Sequence, residues 1–320
     1  MQNNNTFWTL QDVWNDTLLE KPWAVKPRNY MRASEIGMSM TDRFFKMKGI
    51  QPTNPFDARI LRIFEVGNLY EWLVRIILIR SGLLIATQKE VKIHGNNHLD
   101  IIGHLDFIGG GKPNFEEANR LLPILDSIYF PKRMMTIAEQ LIKDLNEKYP
   151  DGLPPLLYEI KSINSMVFWR KDKILNKAYD HHIMQLYTYL KGTEMNEGRI
   201  LYISKDDLTI AEFAVIPDAD LEQRWQEDVT TMTRYIQADV QPKLPPFVMW
   251  NEERQKYEVN WMIARSGYFD MLIKQDKKEW EREMGNLATR ANSRIKKEVN
   301  RFEVDEYVEA ELAGRMTIKV

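Results

Sequence analysis

The sequence predicts an α/β fold: a small mixed central sheet flanked by helices, with a helical insertion and C-terminal helices. Three observations predict it. Residues 57–82 carry apolar side chains at helical spacing (Ile60, Ile63, Phe64, Leu69, Leu73, Ile76, Ile77). Two hairpin signatures, "GNN" at 95–97 and "KDDL" at 205–208, join runs of strand character. And "LLYEIKSIN", 156–164, is an apolar run that sets Glu159 and Lys161 on one face of a strand while Ile160 looks to the other. Helices and strands alternate along the chain, which is the pattern of one α/β core.

Taken in order, residues 1–30 are a polar, Trp-rich lead-in, 31–265 form the core and 266–320 a charged helical tail. In "RASEIGMSMTDRFFKMKG" (32–49), Ser34 is the candidate helix cap. The helix over 57–82 ends near Gly82. In "HLDIIGHLDF", Leu99, Ile101, Leu105 and Phe107 share one strand face and His98, Asp100, His104 and Asp106 the other. Residues 112–152 read as an insertion of two amphipathic helices, "ANRLLPILDSIYF" and "MMTIAEQLIKDLNEKY", closed by "PDGLPP". A helix over 174–191 follows the "YEIKS" strand. A hairpin, a helix over 220–238 and the break "QPKLPPF" come next.

The chain has 320 residues, 44% hydrophobic and 28% charged, a globular composition. With a net charge of −2, any attraction for nucleic acid must come from local patches. The absence of cysteine excludes disulfides, thiol nucleophiles and cysteine-held zinc or iron–sulfur clusters, and fits an intracellular home. The start lacks a basic region followed by an apolar run, so it does not read as a signal peptide. The most apolar helix is interrupted by Arg75 and Arg80, so no membrane span is expected.

Burying Glu159 and Lys161 beside a core is costly unless they are paired or hold a metal. Asp106 and Glu159 on adjacent strands would offer hard oxygen ligands for Mg²⁺ or Mn²⁺, with the Ile160 carbonyl as a further ligand. Lys161 would orient or help deprotonate a water and stabilise charge building on a phosphate. His104, on the face of Asp106, is a candidate for the metal or the phosphate, or a satisfied strand histidine. His181 and His182 open the next helix, with His182 three residues before Gln185.

These blocks carry a resemblance. Gly103-His104-Leu105-Asp106, then Glu159-Ile160-Lys161 followed by Ser162, then Gln185 and Tyr189 in Q-x-x-x-Y spacing, resemble the PD-(D/E)XK nuclease superfamily. Gly67 to Glu71 on the long helix matches the G-x-x-x-(E/H) block of its RecB-like and phage-type exonuclease branch. The resemblance covers roughly 30–265. It implies a restriction-endonuclease-like core, with Asp106, Glu159, Lys161, Glu71 and Gln185 catalytic and Ser162 and Tyr189 near DNA. Leu105 replaces the family's proline, and the insertion lengthens the gap from Asp106 to Glu159. Some relatives hold an iron–sulfur cluster; "KYEVNWMIARSGY" has Val259, Met262 and Tyr268 where those cysteines fall, so no cluster is expected.

The implied activity is Mg²⁺-dependent hydrolysis of DNA, as an exonuclease in recombination, repair or phage DNA metabolism, in the cytoplasm of a bacterial or phage-infected cell. A structure- or sequence-specific endonuclease, and a non-catalytic DNA-binding or assembly protein, are the rival readings. The expected partner is DNA with a free end or single strand; a second copy of the chain or a recombination protein are further candidates. Phe168, Trp169, Arg170, Lys171 and Lys173 mix aromatics with cations, as a single-strand contact would, or as core aromatics beside a basic turn would. Glu90-Val91-Lys92 repeats the E-x-K tripeptide but precedes Asp106 in a more polar run, and reads as a solvated edge. The basic run at 290–301 reads as a solvated helix face.

Overall fold

The computed structural model describes residues 9–19, 24–121, 133–170, 173–251 and 256–295. The chain divides into two compact units: residues 1–22, 28–37 and 57–234, and residues 23–27, 38–56 and 235–320. Among the described residues no helix is long and apolar enough to cross a membrane.

The first unit is the mixed α/β core. Its lead-in contributes α1 (Leu10–Leu19) and β1 (Met31–Arg32). The long helix α3 (Ala58–Arg80) follows, capped by the Asp57 carboxylate, which accepts from Ile60 N–H at 2.8 Å. Then come β2 (Leu84–Thr87), β3 (Glu90–Ile93), β4 (Ile101–His104) and β5 (Phe107–Gly111). The insertion holds α4 (115–121) and α5 (Arg133–Lys148); residues 122–130 of the expected first helix lie outside the described residues. After β6 (Leu153–Ile163) come α6 (Ser165–Phe168), β7 (Trp169–Arg170), β8 (Lys173–Ile174), α7 (Asp180–Thr193), β9 (Gly198–Ser204), β10 (Ile210–Val215) and α8 (Ala219–Ala238).

Five strands form the central sheet in the order β10-β9-β6-β5-β2. β6 lies in its middle, parallel to β9 and antiparallel to β5, so the sheet is mixed. Pro154 and Pro155 open β6, and there the partner strand bulges between Gly109 and Gly111. Gly110 sits at φ +135, and a Cβ on it would lie 2.6 Å from the Pro154 carbonyl oxygen, so only glycine fits.

Strand alternation gives the sheet two coats. Ile160, Leu201, Ile203 and Phe107 pack against Val74 of α3. The helix presents Leu61, Val74, Ile76 and Ile79 inward, while Ile63, Phe64, Leu69 and Ile77 stay exposed. Its buried stripe is therefore rotated from the one the spacing suggested. Ala118, Ala138 and Ile142 bury against Ile76 and Ile79, so the insertion adds a helical layer outside α3. The opposite face is covered by α7, whose Leu186 packs against Gly198. α8 backs α7 through Trp225, whose indole N–H donates to Thr188 Oγ1 at 3.0 Å.

The second unit contains α2 (Met40–Met47), the hairpin β11 (Val248–Asn251) and β12 (Lys256–Val259), and the helices α9 (Trp261–Ala264), α10 (Phe269–Gln275) and α11 (Lys277–Ile295). The cap of α2 is Ser39, which accepts from Asp42 N–H; Ser34, the candidate from sequence, lies in a 3-10 turn (Ala33–Glu35) of the first unit. Tyr268 is buried. Its ring packs 5.0 Å from that of Phe45 and its hydroxyl donates to the Ile50 carbonyl. Val259 pairs with Val248 in the hairpin.

Candidate active site

The run from Leu99 to Phe107, expected as one strand, is two. β4 ends at His104 and belongs to a three-stranded sheet of order β1-β4-β3; β5 begins at Phe107 in the central sheet. Leu105, fully buried, sits at the crossover, where its N–H donates to the Lys89 carbonyl and Gln88 N–H to that of Asp106. The break separates two residues that a continuous strand would have placed on one face. His104 is exposed, 3.9 Å from the Glu90 carboxylate, and does not join Asp106; its reading as a metal ligand is corrected accordingly.

Asp106 turns into the central sheet. Phe107 pairs with Tyr158, so continuing the register by one residue sets Asp106 opposite Glu159. Asp106 Oδ2 accepts from the Ile160 N–H at 2.8 Å, which fixes the carboxylate across the strand gap. Ile160 thus enters the site through its backbone donor. Lys161 Nζ donates to Glu159 Oε1 at 2.5 Å. Glu159 is 1% exposed, and its second oxygen has no hydrogen-bond partner among the described residues. A buried, orphaned carboxylate oxygen costs free energy and invites a cation or donor.

Burial, then the Glu159 charge, raise the Asp106 carboxyl well above its ordinary value, against the counter-pull of Lys161. Burial also pulls on Lys161, but the carboxylates of Glu159 and Asp106 outweigh it and hold the ammonium up. Glu71 of α3 is raised by burial, lowered by Lys161 and raised by Glu159, so its carboxyl feels both members of the pair. Glu65, six residues earlier on this helix, is exposed. Asp106, Glu159, Lys161 and Glu71 are therefore brought together.

Gln185 and Tyr189 lie one turn apart on α7, both buried. Burial, then Glu159, push the Tyr189 phenol up. Gly103 explains the close approach: a Cβ there would come within 2.6 Å of Ala33 Cβ and 2.8 Å of the Tyr189 ring. Only glycine lets α7 settle this near the sheet. Sequence reasoning missed Tyr202 of β9, the register partner of Lys161. Its hydroxyl lies 2.7 Å from His182 Nδ1. The signal was available, since a tyrosine in the otherwise apolar "RILYIS" needs a polar partner.

The remaining candidates scatter. Ser162 alternates to the α3 face, where a Cβ on Gly67 would lie 3.9 Å from its hydroxyl oxygen, and so stands across the sheet from Lys161. Phe168 is fully buried in the core and is not offered to a base, which corrects its assignment to DNA. Trp169 is half-buried, its indole N–H donating to Asp207 at 3.1 Å. Arg170 pairs with Lys173 in the β7–β8 ribbon; their side chains, and Lys171 entirely, lie outside the described residues.

No family model and no curated protein matches the chain. Among solved structures it is similar to one described as "Crystal structure of SSO0001", with 16% identity and a TM-score of 0.40, covering 71% of this chain and 88% of that one.

Proposed function

We propose that the chain is a metal-dependent DNA nuclease with a PD-(D/E)XK-type site, acting as an exonuclease in recombination, repair or phage DNA metabolism. One observation carries the reading: Asp106 and Glu159 face each other across adjacent strands, both buried, with Lys161 on the same face and Gln185 and Tyr189 on the helix above it. A structural ion pair needs one carboxylate for its lysine; here a second is buried beside it, and one oxygen remains unpaired. That donor set fits a hard divalent ion.

Asp106, Glu159 and the Ile160 carbonyl would hold Mg²⁺ or Mn²⁺, which supplies Lewis acidity toward a phosphoryl oxygen. Among the described residues no three His, Asp or Glu side chains form a ready-made metal cluster. Backbone, solvent and DNA would complete such a shell. Lys161, kept charged by its carboxylates, stabilises the negative charge that grows on the phosphoryl group. Glu71 positions the attacking water from the α3 side. Gln185 would lie near the reacting phosphate, with Tyr189 one turn on supporting it or touching the DNA backbone. The basic ribbon after β6 receives the strand.

The test is digestion of end-labelled linear and circular DNA, single- and double-stranded, with Mg²⁺, Mn²⁺ or EDTA. Cleavage of linear DNA from its ends, absent in EDTA, is the expected result. Cutting of circles would make the enzyme an endonuclease, and equal activity in EDTA would sink the mechanism.

A further inference from the structure

We propose that His182 is a phosphate-contacting residue of this site: a neutral imidazole, fixed by Tyr202, that donates its Nε2–H to a non-bridging oxygen of the DNA strand beside Lys161. The inference rests on the nuclease reading for the identity of the anion.

Hydrogen-bond accounting at a sealed hydroxyl leads there. Tyr202 is fully buried, and its hydroxyl accepts from the Tyr179 N–H at 3.0 Å. Its other contact is His182 Nδ1 at 2.7 Å. A phenol has a single proton. If Nδ1 were also a donor, that proton would have no partner among the described residues, in a site closed to water. The hydroxyl therefore donates to Nδ1, and the imidazole carries its hydrogen on Nε2. No described side chain or carbonyl accepts from that nitrogen, and it is not sealed from solvent.

Among the described residues His182 has no carboxylate as a hydrogen-bond partner. Tyr202 stands in register with Lys161 on the same face of the sheet, and α7 carries His182 over them. Burial first, then the charges of Lys161 and His181, hold the imidazole down to about 2, so it is neutral throughout the working range. The His181 ring lies 4.0 Å away, centroid to centroid, and the Tyr179 ring 5.8 Å away. A neutral N–H donor beside an ammonium, with no acceptor supplied, is complementary to an anionic oxygen.

The test is fluorescence anisotropy of a 5′-fluorescein single-stranded oligonucleotide, in EDTA and with Ca²⁺, using the full chain. His182→Phe is expected to bind about tenfold more weakly, the loss of one hydrogen bond to a charged group. His182→Gln, whose amide can place a donor where Nε2 stood, is expected to retain most of the affinity. A neutral methylphosphonate is then placed at each linkage in turn. One position should weaken the wild type yet leave His182→Phe unchanged, the signature of a shared contact. Should His182→Phe not fold, His182→Leu combined with Tyr202→Phe removes donor and buried partner together and replaces it. Wild-type affinity in these variants, or equal losses at every linkage in variant and wild type, overturns the proposal alone. A wild-type chain that neither binds nor cuts DNA overturns the nuclease reading, and this contact with it.

Discussion

The chain contains the tripeptide E-x-K twice in strands, and the two copies have opposite fates. Glu90-Val91-Lys92 lies on β3, the edge of a three-stranded sheet. Its glutamate is 61% exposed and its lysine 44%, and their nearest opposite charges, His104 when protonated and Asp100, stand 3.9 Å away. Glu159-Ile160-Lys161 lies on β6, between β5 and β9. There the glutamate is 1% exposed, the lysine touches it at 2.5 Å, and a second carboxylate is buried opposite. The residue types are shared; the position in the sheet is not. An edge strand leaves its charges in water, where their interactions are screened and weak. A central strand removes water and makes each charge act strongly on the next.

The largest expected effect separates the two lysines. Lys161→Ala should lower cleavage by about 10²–10³-fold while DNA binding is largely retained, because its charge acts on the transition state. Lys92→Ala should cut as the wild type does. Asp106→Ala and Glu159→Ala should lose Mg²⁺ binding as well, measured by calorimetry. Near wild-type cleavage by Lys161→Ala, or an inactive Lys92→Ala, would invert the comparison.

The two strands also lead into different segments. After β3 comes a loop in which Asp100 accepts from Gly95 N–H. After β6 comes the ribbon bearing Arg170, Lys171 and Lys173. Replacing these three with alanine should weaken DNA binding and flatten its salt dependence, by roughly one slope unit for each phosphate no longer neutralised. Trp169→Ala should cost about 1 kcal/mol of affinity for single-stranded ends if a base stacks there. Its indole also ties the ribbon to Asp207, so Trp169→Ala should lower the melting temperature too. A lowered melting temperature with unchanged affinity would leave the tryptophan as a tether only. An unchanged salt slope in the triple variant would move the DNA track elsewhere.

Much of this was legible in sequence because it depends on local periodicity. β6, α3, α7 and the β9–β10 hairpin follow from alternation and helical spacing, and Asp106, Glu159, Lys161 and Glu71 act on one another's charges. The illegible part depends on three-dimensional neighbours. Nothing local marks Leu105 as a crossover between two sheets, so by alternation alone His104 reads as a neighbour of Asp106. Phe168 and Trp169 are adjacent aromatics, yet one is sealed in the core and the other is half-buried, because α6 gives way to β7 between them. Ser39 and Ser34 are equally good caps by type; the backbone direction at the start of α2 chooses Ser39. Tyr202 acquires its meaning only from β9 lying beside β6.

The smallest expected effect is on stability, and it tests the energetic contrast directly. The folded state raises the Asp106 carboxyl above its ordinary 3.8, through burial first and Glu159 second. Below that value both folded and unfolded chains hold the proton, and Asp106 makes no difference to stability. As pH climbs above 3.8 toward the folded-state value, unfolding releases the proton, so stability falls with rising pH in that window. At neutral pH and without metal, Asp106 is therefore a burden. Asp106→Asn keeps the acceptor for the Ile160 N–H and removes the charge. Urea denaturation in EDTA should show the variant more stable by about 1 kcal/mol. Mg²⁺ should reverse the order, because a ligand that binds only the native wild type stabilises it by mass action, and the variant has lost part of that site. Glu90→Gln, on the solvated strand, should leave the midpoint unchanged in both conditions. An Asp106→Asn variant that is less stable than the wild type in EDTA would mean that the pair at β6 is a structural ion pair like any other, and the contrast between the two strands would lose its functional meaning.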